Sequence, residues 1–301
     1  FVEISSADEV LSRPRGIQTG SSITIVNYDV PSYLPWNSTA DNWMHANIYE
    51  GLVYCYMGNA DDVRPLIAES YTHSDDYLTW VFTIRPGIKF TDGTVCDAAA
   101  VSSAWDHYYE AVPAAFTNLN ISSWEATGQM EFTVTLCAPC GYIESSFAKL
   151  YVLSPTALAE FGIEDNRSAV GTAPYYVSSY EPGAEFVFKA NENYYLYERY
   201  PIIETITGKM VYDRPAAFLN GDIDILSFKS LNYYSQSVEL DELFDKNVFD
   251  GTIISGYSDS NPIWLNAKYT PEFQIFEVRK AINRLIDLDE LNDVVYGGKG
   301  R

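Results

Sequence analysis

"PLIAESYTHSDDYLTWVFTIRPGIKFTDGT", residues Pro65–Thr94, is the stretch on which the fold turns. Ser74-Asp75-Asp76 has turn chemistry, because short polar side chains bond their own backbone. Leu78–Ile84 ("LTWVFTI") is β-branched and aromatic and reads as a strand. Arg85-Pro86-Gly87 is a tight turn, and Ile88–Gly93 ("IKFTDG") is a short strand closed by an Asp-Gly turn. Asp97 can then cap a helix, on which Val101, Ala104, Trp105 and Tyr108 share one face at i, i+3, i+4 and i+7.

Working outward, Ser22–Val30 ("SITIVNYDV") reads as an early strand, and the two prolines of Pro31–Asn37 interrupt regular structure. Asn42–Tyr54 has helical spacing through Trp43, Ala46, Ile48 and Leu52, with Gly51 placed to end it. Further strands are expected in "MEFTVTL" (Met130–Leu136), in "YYVSSY" with "EFVFKAN" (Tyr175–Tyr180, Glu185–Asn191) and in "FLNGDIDIL" (Phe218–Leu226). "GTIISGYSDSNPIWLNA" (Gly251–Ala267) is extended. A last helix begins near Glu272, with an apolar stripe at Val278, Ile282, Leu285 and Ile286. The chain carries no internal repeat, and the mixture of strands and helices makes it a mixed α/β protein.

Composition removes several function classes. Across 301 residues, 41 Asp plus Glu against 19 Lys plus Arg give a net charge of -22. Such a surface repels phosphate backbones, so no nucleic-acid partner is expected. It also fits an anionic membrane surface poorly. No run is long enough to span a membrane, and no signal peptide opens the sequence, as a mature or trimmed chain would show. His45, His73 and His107 lack metal-ligand spacing. The 24 Tyr, 15 Phe and 6 Trp suit ligand clefts and sheet cores alike.

Cys137 and Cys140 form a Cys-x-x-Cys between a strand and an expected helix. A helix N-terminus in that position can activate a thiol for redox work. The plainer reading is a structural pair, either a small disulfide or two buried thiols. It is preferred because the flanking sequence does not build a thioredoxin-type unit.

Five blocks, in order, carry a resemblance. They are "IYEGLVY" (Ile48–Tyr54), the Pro65–Thr94 stretch, "VGTAPYYVSSYEPG" (Val170–Gly183) with "NENYY" (Asn191–Tyr195), "NGDIDI" (Asn220–Ile225) and "WLNAKYTPEFQIFEVRKAINRLIDLDEL" (Trp264–Leu291). Together they resemble the large extracytoplasmic solute-binding proteins of ABC transporters, the family of oligopeptide-, dipeptide- and nickel-binding proteins. Ala173 departs from the family's second glycine, and Ala100 from a frequent Asp.

The resemblance implies a two-lobed, periplasmic-binding-protein-like α/β fold of type II, in the large peptide-binding subclass. Lobe I would comprise a core (22–46 and 168–261) and a subdomain (47–167). Residues 262–301 would begin lobe II, and 1–21 would be a polar leader. The family pattern continues beyond the last helix, so the resemblance implies a truncated chain with lobe II incomplete.

Function would then lie in the cleft between lobes. Asp29 could hold a positive group or serve a turn. Tyr33 and Trp36 could wall the cleft or pack locally. The crossing segment offers Tyr257, Trp264 and Asn266, the last of which could instead satisfy a backbone group. No nucleophile with a neighbouring base, phosphate loop or metal cluster is recognisable, so neither catalysis nor a cofactor is expected. The implied ligand is an oligopeptide, with an oligosaccharide as the alternative and nickel disfavoured by the few histidines. Partners would be ABC-transporter permease subunits, at the cell surface as a lipoprotein or in the periplasm. A sensor or receptor subunit without transport is the other reading.

Overall fold

The computed structural model describes residues 17–27, 32–37, 42–55, 61–181, 183–225, 270–287 and 289–290. The chain divides into two compact units. The larger holds Ile4–Tyr212 and Asp222–Ile225; the other holds Phe1–Glu3, Asp213–Gly221 and Leu226–Arg301.

Among the described residues, ten strands lie in the larger unit: β1 (Gln18–Asn27), β2 (Val53–Cys55), β3 (Val63–Pro65), β4 (Ala68–His73), β5 (Thr79–Ile84), β6 (Ile121–Ala126), β7 (Glu131–Leu136), β8 (Tyr175–Glu181), β9 (Glu185–Ala190) and β10 (Ile203–Met210). Its helices are α1 (Asn42–Ile48), α2 (Ala98–Ala111), α3 (Pro113–Thr117), α4 (Ile143–Ser146) and α5 (Pro155–Phe161).

The strands form three sheets. One is mixed, in the order β1-β10-β9-β8, with β1 parallel to β10 and the other pairs antiparallel. The second is antiparallel, in the order β4-β5-β7-β6. β2 and β3 make a short ribbon.

The Pro65–Thr94 stretch supplies the β4–β5 hairpin. Trp80, Phe82 and Ile84 alternate inward along β5, as a half-buried strand requires. At the hairpin tip, Ser74 Oγ donates to Asp76 at 2.5 Å, and the backbone N–H of Leu78 donates to the same carboxylate at 3.1 Å. "IKFTDG" contributes a single bridge, Lys89 to Val95, around Gly93 at φ 88°. Only glycine adopts that backbone without a steric cost.

Asp97 accepts the Ala100 N–H at 2.9 Å, capping α2. Val101, Ala104, Trp105 and Tyr108 are all buried. Trp105 anchors one core, edge-on to Phe132 at 5.1 Å and Phe116 at 5.5 Å. The mixed sheet builds a second core on Phe186, Phe188 and Ile206, joined by Tyr33, Met44, Ile48 and Tyr49.

Three expectations about elements are corrected. α1 ends at Ile48, before Gly51, and the chain turns into β2 two residues beyond that glycine. Phe218 and Leu219 are not strand: they close α6 (Arg214–Leu219), which Asp213 caps and Pro215 starts. The expected strand survives only as a bridge between Ile225 and Ile25. The last helix, α7 (Phe276–Leu285), stops before Ile286, which is extended. Asp287 restarts the chain there by accepting the N–H groups of Asp289 and Glu290. Of the expected stripe, Leu285 is 84% exposed, whereas Val278, Ile282 and Ile286 are half-buried. Gly251–Ala267 lies outside the described residues.

Candidate functional site

Glu50 is the most deeply buried acid among the described residues, at 2% exposure. It follows α1, where its backbone C=O accepts the Val152 N–H at 2.9 Å. An acid there must find partners or stay neutral. Tyr194 donates its hydroxyl to Oε1 at 2.6 Å; Tyr195 and Thr172 donate to Oε2 at 2.8 and 2.9 Å. Arg199 Nη1 stands 3.9 Å from Oε1, too far for a hydrogen bond, with its guanidinium 4.8 Å over the Tyr54 ring.

Burial pushes the Glu50 carboxyl above its ordinary range. The two tyrosine hydroxyls, the Arg199 charge and Thr172 oppose that rise. Burial, with the Glu50 charge second, holds the Tyr194 and Tyr195 phenols far above theirs, so both stay protonated donors.

The node unites separate blocks of sequence. Glu50 belongs to "IYEGLVY", Thr172 to "VGTAPYY", and Tyr194 and Tyr195 to "NENYY". The Pro65–Thr94 stretch joins through Thr91, whose N–H donates to Gly171 O at 2.9 Å. Asp92 accepts from Ser154, the residue that caps α5. The arrangement fastens loops together. The one local signal for Glu50 is that it is the lone charge in the run Ile48–Tyr54; nothing local names its partners.

His45, on α1, is 4% exposed and faces the rings of Tyr49 and Tyr151 at 6.1 and 6.0 Å. Burial pushes its imidazole down to about 4. The unfolded chain therefore binds a proton that the folded chain refuses between about pH 6.5 and 4. This contribution is complete above the unfolded value and is lost as pH falls. We expect the chain to lose on the order of 3 kcal/mol across that window on this account. His45→Leu should flatten the slope, because Glu50 and the other acids are common to both chains. Urea unfolding at pH 7 and pH 5 measures it; equal slopes in the two chains would discard the assignment.

The structure places one of the expected cleft residues, Tyr33, wholly in packing and leaves Trp36 half-buried. Tyr33 is 1% exposed, edge-on to Tyr180 at 4.8 Å and to Phe186 and Phe188 at 6.3 and 6.2 Å. A ring so enclosed by sheet aromatics presents no surface to a ligand. Trp36 is half-buried, donating Nε1–H to Ile163 O at 2.7 Å and meeting Tyr108 edge-on at 5.4 Å. Asp29, Tyr257, Trp264 and Asn266 lie outside the described residues.

The expected structural pair of cysteines is also corrected. All four cysteines are free, Cys137 is exposed and Cys140 half-buried. They are therefore neither a formed disulfide nor two buried thiols, because the loop leaves Cys137 at the surface.

Comparison with known proteins gives the node its setting. The glutathione-binding protein GsiB of Escherichia coli O1:K1 is 29% identical over 293 residues, covering 94% of this chain and 54% of that protein. The chain thus spans about half the length of the curated relatives it matches. NikA from Brucella suis, solved in complex with Fe(III)-EDTA, superposes with a TM-score of 0.71 at 25% identity, over 92% of this chain and 56% of NikA. Haemophilus influenzae OppA, solved with the peptide RPPGFSPFR, shares the fold, with a TM-score of 0.63 at 20% identity over 76% of this chain and 49% of OppA. The model of bacterial extracellular solute-binding proteins, family 5, matches residues 62–301. With that match over most of its length, the chain belongs to the family 5 bacterial extracellular solute-binding proteins.

Proposed function

We propose that the chain is part of an extracytoplasmic binding protein that captures a short peptide and delivers it to the permease of an ABC importer. The family match over residues 62–301 carries the binding role. The peptide reading draws on the name of the GsiB relatives, glutathione being a tripeptide, and on the motif resemblance. The structural relatives span other solutes, so the peptide is the part at risk.

In this reading the described sheets belong to lobe I, and the ligand closes the two lobes about a hinge. Trp36, Asp29, Tyr257, Trp264 and Asn266 are assigned to the cleft; Tyr33 is left out because its ring is in the core. The aromatic rings would flank the peptide, and Asp29 would take its cationic amino terminus.

A thermal-shift panel of di- to pentapeptides including glutathione, oligosaccharides and nickel chelates tests this on the full-length protein. A ligand at 100 times its Kd adds about 2.7 kcal/mol of stability, a shift of roughly 2–4 °C for a chain of this length or twice it. Peptides should produce that shift. If only sugars or metal chelates did so, the peptide assignment would fall while the family role stood.

A further inference from the structure

Cys137 and Cys140 are the chemistry-bearing residues that the binding role leaves unused. Cys137 lies one residue beyond β7, and its N–H donates to Asn120 O at 2.8 Å. The side-chain amide of the same Asn120, itself left-handed at φ 58°, donates to Pro139 O at 3.5 Å. One residue thus holds both ends of the 137–139 segment, and the loop folds back on itself. The backbone carbonyl of Cys140 then accepts the Ile143 N–H at 3.2 Å, and Cys140 rests against the Trp105 core. Three residues of chain span at most roughly 10 Å, and the bends at residues 137 and 138 shorten that reach toward the roughly 7 Å within which a disulfide closes.

The two thiols differ in access, as an exchange site requires. Cys137 is exposed, and Cys140 is half-buried. Gly141 and Tyr142 follow in sequence and line a depression of about 310 Å³ open to solvent. Of the other two cysteines, Cys96 is fully buried, and burial pushes its thiol far up. Cys55 is half-buried, with its S–H aimed at Ser145 O at 3.8 Å.

We propose that Cys137 and Cys140 form a thiol–disulfide exchange site that closes to an intramolecular disulfide when it meets a low-molecular-weight disulfide oxidant. The Cys137 thiolate attacks one sulfur of the oxidant, forms a mixed disulfide and expels the first thiolate. The Cys140 thiolate then attacks Cys137 Sγ and expels the second. The protein loses two hydrogens and two electrons, and the oxidant is reduced to two thiols. The reaction is stoichiometric and independent of ligand binding. It clips the loop between β7 and α4 and leaves Cys55 and Cys96 reduced.

The native full-length protein is incubated with 2-hydroxyethyl disulfide, acid-quenched and mapped by mass spectrometry. Expected is a product lighter by two hydrogens, with a peptide joining Cys137 to Cys140, reversed by dithiothreitol. Cys140→Ser should instead stop at a mixed disulfide on Cys137. Circular dichroism of the variant checks that it is folded. Cys137 and Cys140 both remaining titratable after exposure, or a bridge formed by Cys55 or Cys96, would overturn the proposal.

Discussion

Glu50→Ala is expected to cost the chain about 3–5 kcal/mol of folding stability. The cost comes less from lost attraction than from what is left behind. Alanine removes the acceptor shared by Tyr194, Tyr195 and Thr172 and leaves three hydroxyls buried without it. Each such group forfeits about 1–3 kcal/mol, and rotation of a hydroxyl toward another acceptor recovers part of that. The Arg199 charge also loses its counter-charge at 3.9 Å. Urea denaturation with the slope held common to both chains measures the effect. A loss below about 1 kcal/mol would show that the node is not a fastening point.

Glu50→Gln separates charge from shape. Its amide oxygen can take the place of Oε2 and accept from Tyr195 and Thr172. Its NH₂ then meets Tyr194, whose hydroxyl must turn from donor to acceptor. The native carboxyl, raised by burial, binds its proton more tightly in the folded chain than in the unfolded one. That contribution is complete below the unfolded carboxyl value, near 4.3, and is lost as pH rises through the folded one. It runs opposite to that of His45, which is lost as pH falls.

The same node shows why the sequence was legible in places. Strands such as β5 and β7 and the buried face of α2 are local: alternation and the four-residue repeat state their burial directly. Asp97 as a cap is local too. The order of family blocks was equally plain, and it located the fold without locating a contact. Glu50 was not found because its partners lie 122 to 145 residues away in sequence, and no periodicity connects them. Tyr33 shows the converse. "PSYLPWN" reads as an irregular segment suited to a ligand, yet its tyrosine faces sheet aromatics contributed by Phe186 and Phe188. Phe218 and Leu219 read as strand because they are apolar, but Asp213 and Pro215 had already started a helix there. In each case tertiary neighbours, or a start signal a few residues upstream, decided what the local pattern left open.

Gly171→Ala is expected to destabilise the chain by about 3 kcal/mol, at the upper end of overpacking costs. The reason is space rather than backbone freedom. A Cβ at Gly171 would lie 2.0 Å from Ile48 O and 2.8 Å from Tyr49 Cδ1. A carbonyl cannot swing aside as a long side chain can, so the α1 end and the 171–172 segment must separate. That movement also strains the Gly171 O bond to Thr91 and draws Thr172 from Glu50. Gly141→Ala is the matched control. Its Cβ would meet nothing within 4 Å, and its backbone is not left-handed. It should be neutral, or stabilising by up to about 1 kcal/mol, because alanine restricts the unfolded chain. If Gly171→Ala and Gly141→Ala unfolded at the same urea concentration, the close approach of these two segments would be refuted. If only Gly171→Ala fell, combining it with Glu50→Ala should cost less than the sum of the two single losses, because both loosen the same junction.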